Sequence, residues 1–416
     1  MKTKRLEEQR TRMSDADSPA HPGTTTSGDT ALGRNVIALG WVSFFGGLAQ
    51  DIIQPILPTF YISVLGLSKE YIGLIEGALM TVVSLMKIAA GYLSDALGLR
   101  KAIVFVGYAL SALGRFALSF AGSGQAVLGL RLTDGVGKGL KDAPRDALVA
   151  GSAGGKKLGF AFGVQRALDT LGSVAGPLIA YYLLRIWASH PNMYREIFLT
   201  AGAIAAIPLV IIGLWVRERR TPVKVQALSL AALKGPFARF LVVMLAFTLG
   251  NSSDAFLLLR AQDVGIASGT VPVVYALFNL TSALAAIPAG GLSDRIGRRR
   301  AISYGWMVYA ITYLGFALAR AAWMIWVLYA LYGLYYALTE GAGKALVAEI
   351  VPDANRGAAY GLYNASIGVM ALPASVIAGA LWSRVSPAAP FAFGAAMALL
   401  AFVGLRFVRF SSLERG

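Results

Sequence analysis

The 416-residue chain contains no cysteine, which excludes disulfides and thiolate metal sites. Histidine is nearly absent as well; His21 and His190 cannot build a histidine-based zinc or haem site. Charge is scarce, at 14% of residues, where a soluble domain carries about 25%. Acidic residues are the scarcer sign, 22 against 38 basic, giving a formal net charge of +16. An excess of base raises the question of nucleic-acid binding. The Lys and Arg residues do not form one patch, however, but recur between long apolar runs. That distribution suits a membrane protein with basic loops on one side, and no nucleic-acid partner is expected. No apolar signal-peptide core precedes the first long apolar run, and Met13 offers a second candidate start.

What the chain has is hydrophobic residues, 56% of the total. A spanning helix needs about 20 mostly apolar residues. Twelve such runs are predicted, at 36–65, 70–94, 101–121, 124–150, 158–187, 195–216, 237–262, 270–293, 300–319, 322–350, 357–383 and 388–409. The fourth and tenth contain enough charge for a hydropathy scan to miss them. Residues 1–34, polar and rich in Thr, Ser, Asp and Gly, read as a disordered tail. The resulting organisation is a six-helix bundle over 35–217, a charged linker at 218–235, a second bundle over 236–410 and a short tail at 411–416.

The loops after even-numbered runs hold most of the loop base: Arg100 and Lys101; Lys156 and Lys157; Arg217, Arg219, Arg220, Lys224 and Lys234; Arg295, Arg298, Arg299 and Arg300; and Arg356. The positive-inside bias places these loops and both termini in the cytoplasm. The two halves also repeat. AGYLSDALGLRK at Ala90–Lys101 matches AGGLSDRIGRRR at Ala289–Arg300, an offset of 199, and GFAFG at Gly159–Gly163 matches GAAYG at Gly357–Gly361, an offset of 198. Two parallel repeats of six helices with a site between them is a transporter plan.

These loops resemble the G-x-L-x-D-x-x-G-R signature of the major facilitator superfamily. The second copy fits fully, through Gly290, Leu292, Asp294, Gly297 and Arg298. The first keeps Gly91, Leu93, Asp95 and Gly98, but Ala96 and Leu99 replace the usual basic residues and leave Arg100 and Lys101. Arg131 followed by Gly135 and Gly137 resembles a fourth-helix motif linked to proton transfer. Gly172, Gly176 and Pro177 resemble the GxxxGP motif of proton antiporters in the superfamily. GKGLKDAPRDAL, LGNSSDAFLLLRA and ALTEGAGKAL resemble a bacterial efflux-type subgroup. The resemblance covers about residues 35–410 and implies an all-α membrane protein of twelve transmembrane helices in two pseudo-symmetric six-helix bundles. It also implies a cytoplasmic gate at Gly91, Asp95, Arg100, Gly290, Asp294 and Arg298, with Arg145 beside Asp95 by depth.

The residues themselves supply a charged interior. Positions three and four apart share a helix face. Arg131, Asp134, Lys138, Asp142 and Arg145 are spaced 3, 4, 4 and 3 and form one stripe on the fourth helix. At 1.5 Å per residue, Arg131 lies roughly 10 Å and Lys138 about 20 Å into the membrane. The glycines between them superficially resemble a nucleotide loop, but no strand precedes them and the phosphate-loop pattern is absent. Further charged or polar groups at depth are Asp51 and Gln54, Glu76, Arg166 and Asp169, Asn251 and Asp254, and Glu340 and Lys344.

A charge facing lipid at a helix centre costs about 2.5–3.5 kcal/mol, so these side chains are expected to face a cavity or one another. Arg131–Asp134, Arg166–Asp169 and Glu340–Lys344 are spaced to pair locally, which suits a structural role as well as a pathway. Asp51, Glu76 and Asp254 have no basic residue within one turn. Desolvation disfavours an ionised carboxyl, so these three are the candidate proton carriers. Among Trp306, Tyr309, Tyr313, Tyr332, Tyr335 and Tyr336, which read mainly as packing, Tyr335 or Tyr336 is the candidate cavity residue.

The expected function is secondary active transport by alternating access: export of a small charged, zwitterionic or chelated solute or drug in exchange for protons. The expected setting is the cell inner membrane, with the proton gradient as energy source, no cofactor, and a monomer whose partners are solute, protons and lipid. A proton symporter importing a small organic or anionic nutrient is the alternative. A lipid flippase would require an apolar lateral opening. A membrane-embedded enzyme would need a nucleophile, a His–acid pair or a metal cluster, and His190 reads as a solvated turn residue.

Overall fold

The structure, a computed structural model, describes residues 33–153, 158–218, 233, 235–352 and 355–408. The expected tails, apart from Gly33 and Arg34, and most of the expected linker lie outside these residues. Arg34, assigned to the tail from sequence, instead opens the first helix.

Fourteen helices are described: α1 Arg34–Ile53, α2 Leu57–Ser63, α3 Lys69–Leu97, α4 Arg100–Leu118, α5 Gly124–Ala153, α6 Leu158–Ile186, α7 Met193–Trp215, α8 Gly235–Gly250, α9 Asp254–Asp263, α10 Val271–Ile296, α11 Arg298–Leu318, α12 Ala322–Ile350, α13 Arg356–Arg384 and α14 Ala389–Phe407. They form twelve spans, because α1 with α2 and α8 with α9 each make one interrupted span. Eleven are long and apolar enough to cross a membrane. The twelfth is α5, whose charged stripe lowers its hydropathy although its 30 residues suffice. The tenth span, α12, passes the same test despite its charges.

The repeated loops fold alike for a local reason. Gly98 ends α3 with φ 63°, and Gly297 ends α10 with φ 88°. This left-handed region is open to glycine and strained for other residues, so the signature glycine lets one long helix stop and the next begin within two or three residues.

Packing follows the repeat. The first span packs on the fifth and sixth, the third on the fourth and sixth, and the second on the fourth. The same pattern recurs six spans later, with the seventh on the eleventh and twelfth, the ninth on the tenth and twelfth, and the eighth on the tenth. The two sets meet through α3 against α13 and α6 against α10, which are equivalent pairs under the repeat.

Contact between the sets is tight at the end remote from the signature loops. A Cβ at Gly77 of α3 would fall 2.8 Å from the Leu372 Cα of α13. Thr81 Oγ1 donates to the Gly368 carbonyl at 2.6 Å, and Gln262 Nε2 of α9 donates to Thr59 Oγ1 of α2 at 2.7 Å. At the signature end the walls separate: Gly163 of α6 and Gly290 of α10 line a cavity between the sets, and a Cβ at either would meet no heavy atom within 4 Å. The molecule is therefore closed at one end and open at the signature end.

Overpacking a close helix contact costs about 1–3 kcal/mol. Gly77→Leu should accordingly lower the thermal unfolding temperature of the purified protein, while Gly163→Leu should leave it unchanged. Equal effects from the two variants would contradict the packing described.

Candidate functional site

Two charge systems occupy the interior, and they differ in exposure. The first is buried among α3, α4 and α5. Arg131 Nη2 donates to both Glu76 carboxylate oxygens at 3.0 Å, and the Tyr61 hydroxyl donates to Glu76 Oε1 at 3.3 Å. Asp134 receives Lys138 at 2.9 Å, Arg115 at 3.3 Å and Arg131 at 3.5 Å. Glu76 is 1% exposed and Asp134 2%. Three cations face two carboxylates here, one positive charge in excess. Asp51 lies within electrostatic reach of Lys138 and Arg115.

This cluster changes the sequence reading of two groups. Glu76 has no basic residue within a turn of its own helix, yet Arg131 pairs with it across helices, so it is not an unpartnered carboxyl. Arg131 pairs more closely with Glu76 than with Asp134, its neighbour along the helix. Arg115 is a member of the cluster that helix spacing alone did not point to. Its signal was the one used elsewhere, a lone charge inside an apolar run.

The second system lines a cavity of about 890 Å³ between α6, α10 and α12. Ser173, Asn279 and Tyr336 line it toward the closed end, and Gly163, Gly290, Asp294 and Lys344 toward the signature end. Asn279 Nδ2 donates to the Ser173 carbonyl at 2.7 Å and joins the sets at its inner limit. Arg166 on α6 reaches Glu340 on α12 at 3.3 Å; Asp169 lies 4.0 Å from Arg166, and Lys344 lies 3.8 Å from Glu340. The helix-local pairs read from sequence are thus the longer ones, and the shortest pair crosses between the bundles. The side chains of Arg166 and Glu340 are 66% and 45% exposed.

Asp51 and Asp254 sit behind this cavity, one in each half, at the two interrupted spans. Asp51 is in the last turn of α1, before the non-helical turn that holds buried Gln54. The Ser173 side chain of α6 lies beside it. Glycine makes this reach possible. Gly176 packs on α1 so closely that a Cβ there would lie 2.8 Å from the Leu48 carbonyl oxygen and 2.9 Å from the Asp51 carbonyl carbon, and Gly172 packs the same way on Phe44. Pro177 follows within α6. Asp254 opens α9 after the break at Asn251–Ser253, where the helix N-terminus favours negative charge. It accepts the Tyr332 hydroxyl at 2.7 Å and lies within electrostatic reach of Tyr336. Asn251 Oδ1 accepts the Tyr309 hydroxyl at 3.3 Å. Among the described residues neither Asp51 nor Asp254 forms an ion pair.

Tyr309, Tyr313, Tyr332 and Tyr335 are buried in one aromatic cluster with Trp306, where Tyr309 and Tyr313 stack at 3.9 Å. Tyr336 is the tyrosine that reaches the cavity. Ser173, Asn279 and Tyr332 join the site in three dimensions; being neutral, they carried no signal in the charge pattern.

At the signature end, Arg298 contacts Asp294 at 3.6 Å and Glu349 of α12 at 3.3 Å. Glu349 is a partner of Arg298 that the sequence motif does not contain. Arg145 pairs with Asp146 at 3.3 Å and lies 3.9 Å from Asp142, which Lys87 holds at 2.9 Å. Gly91 has open space around it, with Ala143 the nearest approach, and Arg100 is buried at the start of α4. Asp95 lies in the last turn of α3, its side chain outside the described set.

Comparison with known proteins agrees with this architecture. The sequence profile of the Major Facilitator Superfamily matches residues 39–259 and 237–415. An uncharacterized MFS-type transporter of Methanocaldococcus jannaschii is 34% identical over 91% of this chain and 96% of its own length. The class G tetracycline resistance protein of Vibrio anguillarum is 25% identical over 67% of this chain and 72% of its own. The crystal structure of the nucleoside transporter NupG superposes with a TM-score of 0.72 at 14% identity, covering 90% of this chain and 98% of that one.

Breaking a buried ion pair by removing one partner costs about 3–5 kcal/mol, whereas removing both partners costs far less. Glu76→Gln and Arg131→Gln should each lower the unfolding temperature sharply, and the double variant should recover most of the loss. Additive losses in the double variant would contradict the pairing.

Proposed function

The chain belongs to the Major Facilitator Superfamily and is a multi-pass membrane transporter, and from this premise we propose that it exports a small charged or dipolar solute across the cell inner membrane in exchange for protons. The observation that carries the proposal is the pair Asp51 and Asp254. Each lacks an ion-pair partner among the described residues, each sits at a helix break, and each lies one hydroxyl-bearing residue away from the cavity, through Ser173 or Tyr336. Interrupted helices at corresponding positions of two repeats mark binding sites in transporters of this plan.

The basic loops put the signature end, and with it the open cavity, on the cytoplasmic side. In this inward-facing state Asp51 and Asp254 release protons to the cytoplasm and the cavity loads solute. Rocking of the bundles closes the Gly163 and Gly290 walls and parts α3 from α13. The carboxyls then take up protons from outside as solute leaves. Glu76, held by Arg131, serves the buried framework in this scheme. Export is favoured over import by the resemblance of Gly172, Gly176 and Pro177 to the GxxxGP motif of proton antiporters, whose glycines here bring α6 onto α1 beside Asp51. The low-identity match to a tetracycline resistance protein supports the same direction. The protein works in this reading as a monomer with no cofactor.

Everted vesicles with an imposed pH gradient, acidic inside, test the proposal. Solutes that the protein carries should accumulate in them and partly collapse the gradient. Asp51→Asn and Asp254→Asn should abolish gradient-driven accumulation, by more than about tenfold in rate, if each carboxyl binds a transported proton. Both variants should retain solute–solute counterflow, which needs no net proton movement. Gradient-driven accumulation persisting in both variants would reject the coupling role.

A further inference from the structure

Four side chains lining the cavity form a row of alternating sign: Asp169 and Arg166 on α6, then Glu340 and Lys344 on α12, with successive separations of 4.0, 3.3 and 3.8 Å. The row has no net charge. Its middle pair bridges the two bundles and is exposed to the cavity on both sides. Exposed pairs contribute little to stability, so the cross-bundle pair is poorly suited to holding the bundles together and well suited to being exchanged. Alanine and glycine at Ala167, Ala337 and Gly341 leave space around it.

We infer that this row is the solute-binding strip and that it takes a net-neutral zwitterion, a solute bearing a carboxylate at one end and an ammonium group at the other. This inference rests on the transport reading above and names the solute class within it. The carboxylate replaces Glu340 as the partner of Arg166, and the ammonium replaces Arg166 as the partner of Glu340. Asp169 and Lys344 stay in place, so the single row becomes two, each charge still facing an opposite one. A simple anion would satisfy Arg166 but detach Glu340, and it would leave the row with a net negative charge. A simple cation would do the reverse. That imbalance becomes costly when the signature end closes and water leaves, because an uncompensated charge in a dry site pays its full desolvation penalty. The strip thus selects against single-charged solutes at the occlusion step.

Thermal unfolding of the purified full chain, titrated with γ-aminobutyrate and glycylglycine and with the single-charged analogues butyrate and butylammonium, tests the assignment. At least one of the two zwitterions should raise the unfolding temperature with a Kd about tenfold or more below those of both analogues, the worth of one charge-assisted contact. Arg166→Ala and Glu340→Ala should each weaken zwitterion binding by about tenfold or more on the same reasoning. Exchanging all four signs, Asp169→Lys and Arg166→Glu with Glu340→Arg and Lys344→Asp, keeps the alternation along the row and should bind the zwitterion again, turned end for end. The inference is overturned if neither zwitterion binds, if butyrate or butylammonium binds as tightly, or if the exchanged variant unfolds at the wild-type temperature without binding. A pH gradient collapsed by butylammonium alone would leave proton-coupled export standing and remove the zwitterion strip. Zwitterion binding without any effect on a pH gradient would keep the strip and remove the coupling.

Discussion

An ionised side chain inside a low-dielectric slab must find an opposite charge, a hydrogen-bonding partner or water, and that requirement organises this molecule. The chain places many charges at membrane depth, and at about 2.5–3.5 kcal/mol each, lipid exposure of about six would reach the whole stability, about 5–15 kcal/mol, of an ordinary domain. The structure meets the requirement in two ways. Glu76 and Asp134 pair with Arg115, Arg131 and Lys138 in a buried cluster. Arg166, Asp169, Glu340 and Lys344 instead face an aqueous cavity and stay solvated. The first arrangement fixes helices in place, and the second leaves groups free to exchange partners.

The halves repeat in topology but divide the chemistry. The N-terminal half is held by ions around α5, the C-terminal half by stacked aromatic rings around Tyr309, Tyr313 and Tyr332. Asp51 and Asp254 stand at comparable breaks in these unlike surroundings, one in the last turn of a helix beside cations, the other in the first turn of a helix beside tyrosine hydroxyls. Small residues connect the two schemes. Gly172 and Gly176 bring α6 onto α1, and with it a cavity-lining hydroxyl onto Asp51.

Much of this was legible in the sequence. Helix number followed from run length, the repeat from the matched loops at Ala90–Lys101 and Ala289–Arg300, and the inward-facing stripe of α5 from its spacing. The charge of α5, which hides that helix from a hydropathy criterion, was what revealed its role. Cross-helix partnership was not legible: spacing along a helix gave Arg131 to Asp134 and Arg166 to Asp169, whereas the closer partners are Glu76 and Glu340, distant in sequence. The interruptions of the first and seventh spans were also hidden, since apolar runs continue across them. Pro55 near one break and Asn251–Ser253 at the other were visible only as polar or proline interruptions beside a carboxyl.

The central claim is that the charged faces of both bundles share one water-filled chamber open at the signature end. Because the chain has no cysteine, single cysteines in place of Ser173, Asn279 and Tyr336 can be read without background. A membrane-impermeant maleimide applied to the cytoplasmic face of everted vesicles should label all three, and a cysteine in place of buried Ser375 should remain unlabelled. Failure of all three cavity positions to react from that face would contradict the account.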